Sequence, residues 1–221
     1  MFQLPLKLPP RQLLGRADFY ISDCNLEVVE WIDSYPDWNG IDALLITGEA
    51  KSGKTHALYL AAEKTGAQVI SAAELACFFF GDMLDSCGVL AIDDIDGIAG
   101  DNAAEEALFH IINYARSVHA NLFLSSKKPA QDIGFALTDL KTRLASLPIA
   151  RIYAPDDRFL EALLLKQLYD RGIGANAATI SFILKRISRS PDSISDFVTH
   201  AYERSRPLTT PLAHEILSET A

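Results

Sequence analysis

Residues 48–55, Gly-Glu-Ala-Lys-Ser-Gly-Lys-Thr, have the composition and spacing of a loop that binds phosphate. The stretch fits the pattern G-x-x-x-x-G-K-[ST], follows an apolar run and opens a helical pattern. In that position, backbone N–H groups and the positive end of a helix dipole converge on a phosphate. Lys54 is expected to reach the β- and γ-phosphates, and the Thr55 hydroxyl to coordinate Mg²⁺. The predicted nucleotide-binding residues of this segment are Gly48, Ala50, Lys51, Ser52, Gly53, Lys54, Thr55 and His56.

Two carboxylates at the end of another apolar run predict the metal side of the same site. The run Val89–Ile92 is followed directly by Asp93 and Asp94. Beside the loop, Asp93 could hold Mg²⁺ directly or through water. Asp94 stands where many P-loop ATPases carry a glutamate that orients water, and its side chain is shorter. With these two as the catalytic carboxylates, we interpret the site as better suited to holding a nucleotide than to hydrolysing it.

Polar and basic residues follow the remaining runs. Ser125 and Ser126 end the run from Asn121; a polar side chain there could sense a γ-phosphate, and an ordinary loop start is an equally good interpretation. Arg143 ends a predicted helix before the last run, where an arginine faces a neighbouring subunit and could act in trans as an arginine finger. A surface ion pair is the other interpretation of Arg143. The basic stretch Lys127-Lys128 is interpreted as a solvated helix face.

Short apolar runs that alternate with amphipathic segments predict an α/β fold. Strands are predicted at 43–47, 68–71, 89–92, 121–124 and 149–153, among helical patterns that indicate a parallel sheet covered on both faces. After Pro155 the strands stop, and three or four amphipathic helices of a small bundle follow. We expect three parts: an N-terminal peptide and linker at 1–18, a nucleotide-binding α/β subdomain at 19–155 and a helical lid subdomain at 156–221.

The composition excludes several classes of protein. Of 221 residues, 49% are hydrophobic and 22% charged, which is typical of a folded chain, and no apolar run approaches the ~20 residues that span a bilayer. The formal net charge of −9 argues against a dedicated nucleic-acid binder. Three cysteines without metal-ligand spacing are typical of reduced thiols in a cytoplasmic protein.

The chain begins with alternating leucines and prolines, MFQLPLKLPP. The prolines keep this strip out of a helix, because proline lacks an N–H donor and disfavours the α conformation of the residue before it. One interpretation is an edge strand or a disordered end. The other is an extended peptide that docks in the groove of another protein. Its docking residues would be Gln3, Leu4, Leu6 and Leu8.

The ordered set of motifs resembles that of the AAA+ ATPases, and within them the DnaA family. The resemblance rests on LLITGEAKSGKTHAL, LAIDDIDGIAG, SSKKP as the sensor-1 region and DLKTRL as the arginine-finger box, and it extends from about Phe19 to the final helix. It implies a P-loop AAA+ parallel sheet flanked by helices and followed by an all-α lid. It further implies ADP or ATP and Mg²⁺ as cofactors, with Ser125 among the nucleotide-binding residues and the segment DFYISDCNLEVVEWI near the adenine.

The short plan, in which the core ends at the lid, resembles the Hda-type regulators of that family. This implies a regulator of chromosome replication initiation that docks on the DNA polymerase sliding clamp through its N-terminal peptide. It would then present Arg143 to ATP bound on DnaA, which becomes ADP-bound. DnaA and the clamp would be its partners, with weak intrinsic ATPase activity, no membrane and no direct sequence-specific DNA binding. Formation of a homo-oligomer stays open.

One position departs from the family pattern, and other functions stay open. The family places a sensor-2 arginine early in the third lid helix, where SRSPDSISDF has Asp192, which would repel phosphate; the nearest arginine, Arg189, precedes Pro191. The alternatives are an autonomous AAA+ ATPase or helicase loader, and a non-catalytic adaptor between clamp and DnaA. A loader would need a basic surface for single-stranded DNA, which the charge argues against. A nucleotide kinase would need an arginine-rich lid that is hard to find in this sequence.

Overall fold

The computed structural model describes residues 19–77, 84–85, 87–204 and 207–219. Five parallel strands form one sheet in the order β2-β3-β4-β1-β5. They are β1 (Ala43–Thr47), β2 (Gln68–Ser71), β3 (Val89–Asp93), β4 (Asn121–Ser126) and β5 (Ile149–Arg151). The predicted parallel α/β sheet is therefore confirmed, although β3 and β4 run one and two residues further than predicted and β5 ends earlier.

Helices flank the sheet and continue beyond it. Before the first strand comes α1 (Leu26–Ser34), and between the strands come α2 (Lys54–Thr65), α3 (Asn102–Ser117) and α4 (Thr138–Ala145). Those after β5 are α5 (Asp157–Asp170), α6 (Ala177–Leu184), α7 (Pro191–Glu203) and α8 (Thr210–Glu219). Side-chain oxygens cap several of them, because the first N–H groups of a helix have no partner within it. The capping residues are Asp101 for α3, Asp156 for α5, Asn176 for α6 and Ser190 for α7.

The two faces of the sheet belong to two different hydrophobic cores. Side chains alternate between faces along a strand, so Leu44 and Ile46 of β1 pack with α1 and α2 while Leu45 packs with α3 and α4. All five residues of β1 are buried. Burial on both faces explains why β1 and the first four residues of β3 are continuous apolar runs rather than alternating ones.

The helices after β5 form a third core. Phe197 and Ile216 lie at its centre, and Tyr20 packs against it with its ring 5.3 Å from that of Phe159. The preceding residue, Phe19, packs instead on the core beneath β1. The boundaries predicted at residues 18 and 155 stay predictions. Every helix in the described ranges is too short or too polar to cross a membrane.

Candidate nucleotide-binding site

The loop between β1 and α2 has the backbone form that the glycine pattern predicts. Gly53 is the N-cap of α2 with a φ of +99°, and Lys51 has a φ of +61°. Gly48 is constrained by its neighbours, because a Cβ there would lie 2.8 Å from the carbonyl oxygen of Ile152 and 2.7 Å from Ser52 Oγ. That Ser52 oxygen is buried and has no hydrogen-bond partner among the described residues. The loop therefore lines a tight cradle at the N-terminus of a twelve-residue helix.

The Lys54 ammonium group lies inside this loop. Nζ donates to the carbonyl oxygens of Gly48 at 2.9 Å and Glu49 at 2.7 Å. Burial lowers the pKa of Lys54 below its ordinary value, and the carboxylates of Asp96 and Asp93 offset part of that change. A partly desolvated ammonium gains more from a nearby anion than one in water does. The environment of Lys54 thus favours an anionic ligand such as a phosphate.

Asp93 connects the loop to the next strands. Thr55 Oγ1 donates to Asp93 Oδ2 at 2.7 Å, and Ser125 Oγ donates to Asp93 Oδ1. The same Ser125 oxygen accepts a hydrogen bond from the Asp94 backbone N–H at 2.9 Å. From β4, which lies between β1 and β3, the buried Ser125 hydroxyl thus bridges the Asp93 carboxylate and the Asp94 backbone N–H. Ser125 is a strand residue, so the loop-start interpretation is wrong, while its contact with a γ-phosphate stays a prediction.

The Asp94 carboxylate is paired with a lysine. Its Oδ1 lies 2.8 Å from Lys127 Nζ, and its backbone has a positive φ of 60°. Lys127 Nζ also lies 3.6 Å from Asp96 Oδ2, and its backbone N–H donates to Asp96 Oδ1 at 2.8 Å. The hydrogen bond to Asp94 raises the pKa of Lys127. The prediction that Lys127 and Lys128 cover a helix face is wrong, since both follow β4 in a bend.

Arg143 lies at the opposite end of the strands from the phosphate loop, near the amino end of β1. It is in the last turn of α4, half-buried, and Nη2 donates to the amide oxygen of Asn113 at 3.0 Å. It lines a cavity of about 220 Å³ together with Ala43 and Leu122, which form the first residue pair between β1 and β4. The phosphate loop follows the other end of β1, about 15 Å away along the strand. The structure thus separates Arg143 from the other predicted catalytic residues.

The lid contributes a carboxylate near the loop. Asp192 lies in the first turn of α7. Desolvation raises the pKa of Asp192, and the charges of Lys51 and Lys54 act in the opposite direction. The two lysines are therefore within electrostatic range of the position where the family places an arginine. The nearest arginine, Arg189, forms an ion pair with Asp157 instead.

The remaining predicted site residues are less tightly placed. Ala50 is exposed in the loop, and the His56 ring meets the Phe19 ring edge-on with centroids 4.9 Å apart. The predicted docking residues of the N-terminal strip lie outside the described residues. They are Gln3, Leu4, Leu6 and Leu8.

Comparison with known proteins assigns this arrangement to a family. The family described as the bacterial DnaA ATPase domain matches residues 25–147, more than half of the chain. The chain belongs to this family. The chromosomal replication initiator protein DnaA of Porphyromonas gingivalis is 25% identical over 195 residues, which are 79% of this chain and 41% of that protein. The chain therefore spans about two fifths of the length of the curated DnaA proteins it matches.

Solved DnaA structures share the fold of most of this chain. Domain III of Thermotoga maritima DnaA superposes with a TM-score of 0.76 at 16% identity, covering 96% of this chain and 98% of that one. The AMPPCP-bound DnaA from Aquifex aeolicus superposes with a TM-score of 0.71 at 21% identity, covering 85% of this chain and 64% of that one. At these identities the likeness concerns the fold.

The residues of the DnaA-family loop fit a nucleoside phosphate with Mg²⁺. The loop offers a cradle closed to side chains at Gly48, a Ser52 hydroxyl without a hydrogen-bond partner in the part of the chain that the structure describes, and the buried Lys54 ammonium. Thr55 and Asp93 supply the oxygen ligands that Mg²⁺ prefers. Mg²⁺ in such sites takes one or two carboxylates and completes its shell with phosphates and water. The described residues contain no cluster of three or more metal-ligating His, Cys, Asp or Glu side chains.

Sequence reasoning missed three polar partners of the site. Lys127 and Asp96 were recoverable in part, because each follows a strand and the carboxyl ends of parallel neighbours meet at one edge. Asn113 gave no signal, because its contact with Arg143 depends on the packing of α4 against α3.

Proposed function

We propose that this DnaA-family chain binds ADP or ATP with Mg²⁺ at the loop between β1 and α2. Backbone N–H groups of the loop and Lys54 would hold the phosphates, and Thr55 and Asp93 would hold the metal. The bound Mg²⁺ would neutralise charge on the phosphates. The cradle around Gly48 and the buried lysine support this proposal, as does the AMPPCP-bound state of the A. aeolicus relative.

We propose further that the chain is an Hda-type regulator of replication initiation. Arg143 would act on ATP held by DnaA, and the N-terminal peptide would dock on the sliding clamp through Gln3, Leu4, Leu6 and Leu8. The position of Arg143 carries the argument. It lies at the end of the strands opposite the phosphate loop, too far away to reach a nucleotide in its own chain. Asn113, a neutral amide, is its partner among the described residues, so the cation is not cancelled there.

A guanidinium that reaches a neighbouring site can stabilise the charge that develops on the transferred phosphoryl group. Arginine fingers accelerate such reactions by about 10³–10⁵. DnaA would be left ADP-bound, which would suppress reinitiation. No direct sequence-specific contact with DNA is needed, in keeping with the net charge of −9.

The Arg143→Ala variant tests the regulatory role. We expect it to bind ADP with unchanged affinity, and to reduce the stimulation of DnaA-bound ATP hydrolysis at least about 100-fold, because a finger accounts for most of such an effect. The measurement is single-turnover hydrolysis by ATP–DnaA in the presence of DNA-loaded clamp. Lys141→Ala removes a cation from the same helix and should keep the stimulation within about threefold of the unmodified chain.

The competing functions give different results in the same assays. Full stimulation by Arg143→Ala would contradict the finger and support a non-catalytic adaptor. Turnover of several ATP per minute by the isolated chain would instead support an autonomous ATPase or loader.

A further inference from the structure

We propose that Lys127 holds the Asp94 carboxylate away from the attacking water, and so keeps hydrolysis of the chain's own ATP slow. The proposal rests on the nucleotide binding proposed above. It assigns Lys127 a positioning role that acts through Asp94. The consequence is a site that retains its nucleotide, because the carboxylate that would orient water is already occupied.

Both the backbone N–H and the ammonium group of Lys127 have carboxylate partners, which hold the side chain beside Asp94. Its backbone N–H donates to Asp96 Oδ1 at 2.8 Å, and its Nζ lies 2.8 Å from Asp94 Oδ1 and 3.6 Å from Asp96 Oδ2. Asp96 itself lies in the turn Ile95–Ile98 directly after β3, and its side chain is 14% exposed. The ammonium is thus held between two carboxylates of one turn.

The backbone of the same turn directs Asp94 toward the lysine. The φ of 60° at Asp94 is rare for residues other than glycine, and the Ser125 hydroxyl holds its N–H. Gly97 lies beneath the side chain, where a Cβ would be only 3.1 Å from Asp94 Oδ2. One carboxylate oxygen therefore faces Lys127 and the other lies over Gly97.

The chemistry explains why this pairing matters. In ATP hydrolysis the oxygen of water bonds to the γ-phosphorus, the bond from that phosphorus to the β-phosphate oxygen breaks, and one water proton passes to a base or to the released phosphate. A carboxylate that accepts a hydrogen bond from the water orients it for this attack. Asp94 in contact with an ammonium at 2.8 Å is a weaker acceptor for a hydrogen bond from that water. Releasing it should therefore raise the rate.

A direct role of Lys127 as a phosphate ligand is the competing assignment. Lys54 already supplies a buried cation inside the loop, while Lys127 is 43% exposed and engaged by two carboxylates. The two assignments predict opposite effects of removing the charge. If Lys127 is a phosphate ligand, removing its charge should lower both the affinity for ATP and the rate of hydrolysis. If it restrains Asp94, removing its charge should leave the affinity unchanged and should not lower the rate.

The experiment compares Lys127→Met with Lys128→Met, an exposed neighbour whose side chain is not part of the site. Binding of ATP by calorimetry comes first, and its absence would refute the proposed function rather than the role of Lys127. In single-turnover hydrolysis of bound ATP, Lys127→Met should be at least about tenfold faster than the unmodified chain, a fraction of the ~10²–10⁴ that general base catalysis supplies. Lys128→Met should stay within about twofold.

The dependence on Asp94 distinguishes positioning from a general change of structure. In an Asp94→Asn background, Lys127→Met should have no effect on the rate. An unchanged or slower rate for Lys127→Met, or an acceleration that persists in the Asp94→Asn background, would overturn the proposal. So would a tenfold loss of ATP affinity, which would make Lys127 a phosphate ligand.

The pairing can also be measured without nucleotide. NMR titration of the lysine side-chain amines should show that the pKa of Lys127 falls when Asp94 is replaced by Asn, because the hydrogen bond to Asp94 raises it. The signal of Lys128 should not respond to this replacement. An unchanged pKa of Lys127 would show that the two groups are not paired in solution.

Discussion

At the scale of the residue, position 48 has no room for any side chain larger than that of glycine. A Cβ at this position would meet the Ile152 carbonyl oxygen, which cannot move without shifting the strand edge. We expect Gly48→Ala to lower the free energy of unfolding by about 1–3 kcal/mol through overpacking. It should also weaken binding of ADP at least about tenfold, because the loop must open to admit the methyl group. Denaturant unfolding and calorimetry measure the two effects.

Gly134→Ala is the matched control for this prediction. A Cβ there meets nothing within 4 Å, so both quantities should be close to those of the unmodified chain. Equal behaviour of the two alanine variants would show that the cradle around Gly48 is looser than described.

The residue scale is also where sequence reasoning was most informative and most incomplete. The pattern around Lys54 predicts the loop because the chemistry of phosphate binding fixes the spacing of its residues. The neighbours of Asp94 could not be read in the same way. Its contact with Lys127 joins residues that follow two different strands, and the side-chain direction depends on a positive φ that no spacing encodes.

At the scale of the element, a buried carboxylate holds the helix that carries Arg143. Glu105 in α3 is fully buried and accepts N–H bonds from Gly100 at 2.7 Å, Ala136 at 3.0 Å and Leu137 at 2.7 Å. Leu137 is the N-cap of α4 and supplies no side-chain cap of its own. Glu105, a residue of α3, therefore accepts hydrogen bonds from N–H groups at the start of α4, as the side chain of an N-cap residue does in other helices.

Replacement of this carboxylate should destabilise the fold in a pH-dependent way. Burial acts to raise the pKa of Glu105, but the three N–H donors outweigh it and the pKa is lowered from its ordinary value of 4.5. Glu105→Gln should lower the free energy of unfolding by about 2–3 kcal/mol at pH 7, because one acceptor becomes a donor facing N–H groups.

The sign of the pH effect follows from the lowered pKa. The stabilisation by Glu105 is complete above its unfolded pKa and is lost as the pH falls through the lower folded value. Unfolding measured from pH 7 to pH 3 should thus show the difference between Glu105→Gln and the unmodified chain becoming smaller. Glu106→Gln, on the exposed side of the same helix, should show no such difference at any pH.

The elements themselves were largely predictable, for a physical reason. Strands buried on both faces are short apolar runs, and helices between them are longer with one apolar face, so length and periodicity together separate them. The end of β4 was not predictable, because Ser125 and Ser126 are polar residues buried in a strand. Their hydroxyls are tolerated there because each forms hydrogen bonds, to Asp93 and to the Lys128 backbone respectively.

At the scale of the whole molecule, the proposed function separates docking from nucleotide binding. Replacement of Gln3, Leu4 and Leu6 by alanine should abolish co-elution with the sliding clamp, because a short peptide of this kind depends on a few anchors in apolar pockets. Affinity for ADP should be unchanged. Size-exclusion chromatography with the clamp measures the first effect and calorimetry the second.

The chain offers a close control of the same composition. Gln12, Leu13 and Leu14 repeat the residue types just downstream, and their replacement by alanine should leave clamp binding intact. Loss of clamp binding in this second variant alone would show that the clamp-binding residues lie at 12–14 and not in the strip proposed above.

The strand order has a consequence for how the protein is made. The phosphate loop follows β1 and Asp93 ends β3, yet these two strands do not pair with each other; each pairs with β4, which comes later in the chain. A chain emerging from the ribosome therefore exposes both halves of the site before it has the strand that sets their spacing. The site must assemble late in synthesis, once residues 121–126 have inserted, and until then a nascent chain has no ligand to stabilise it.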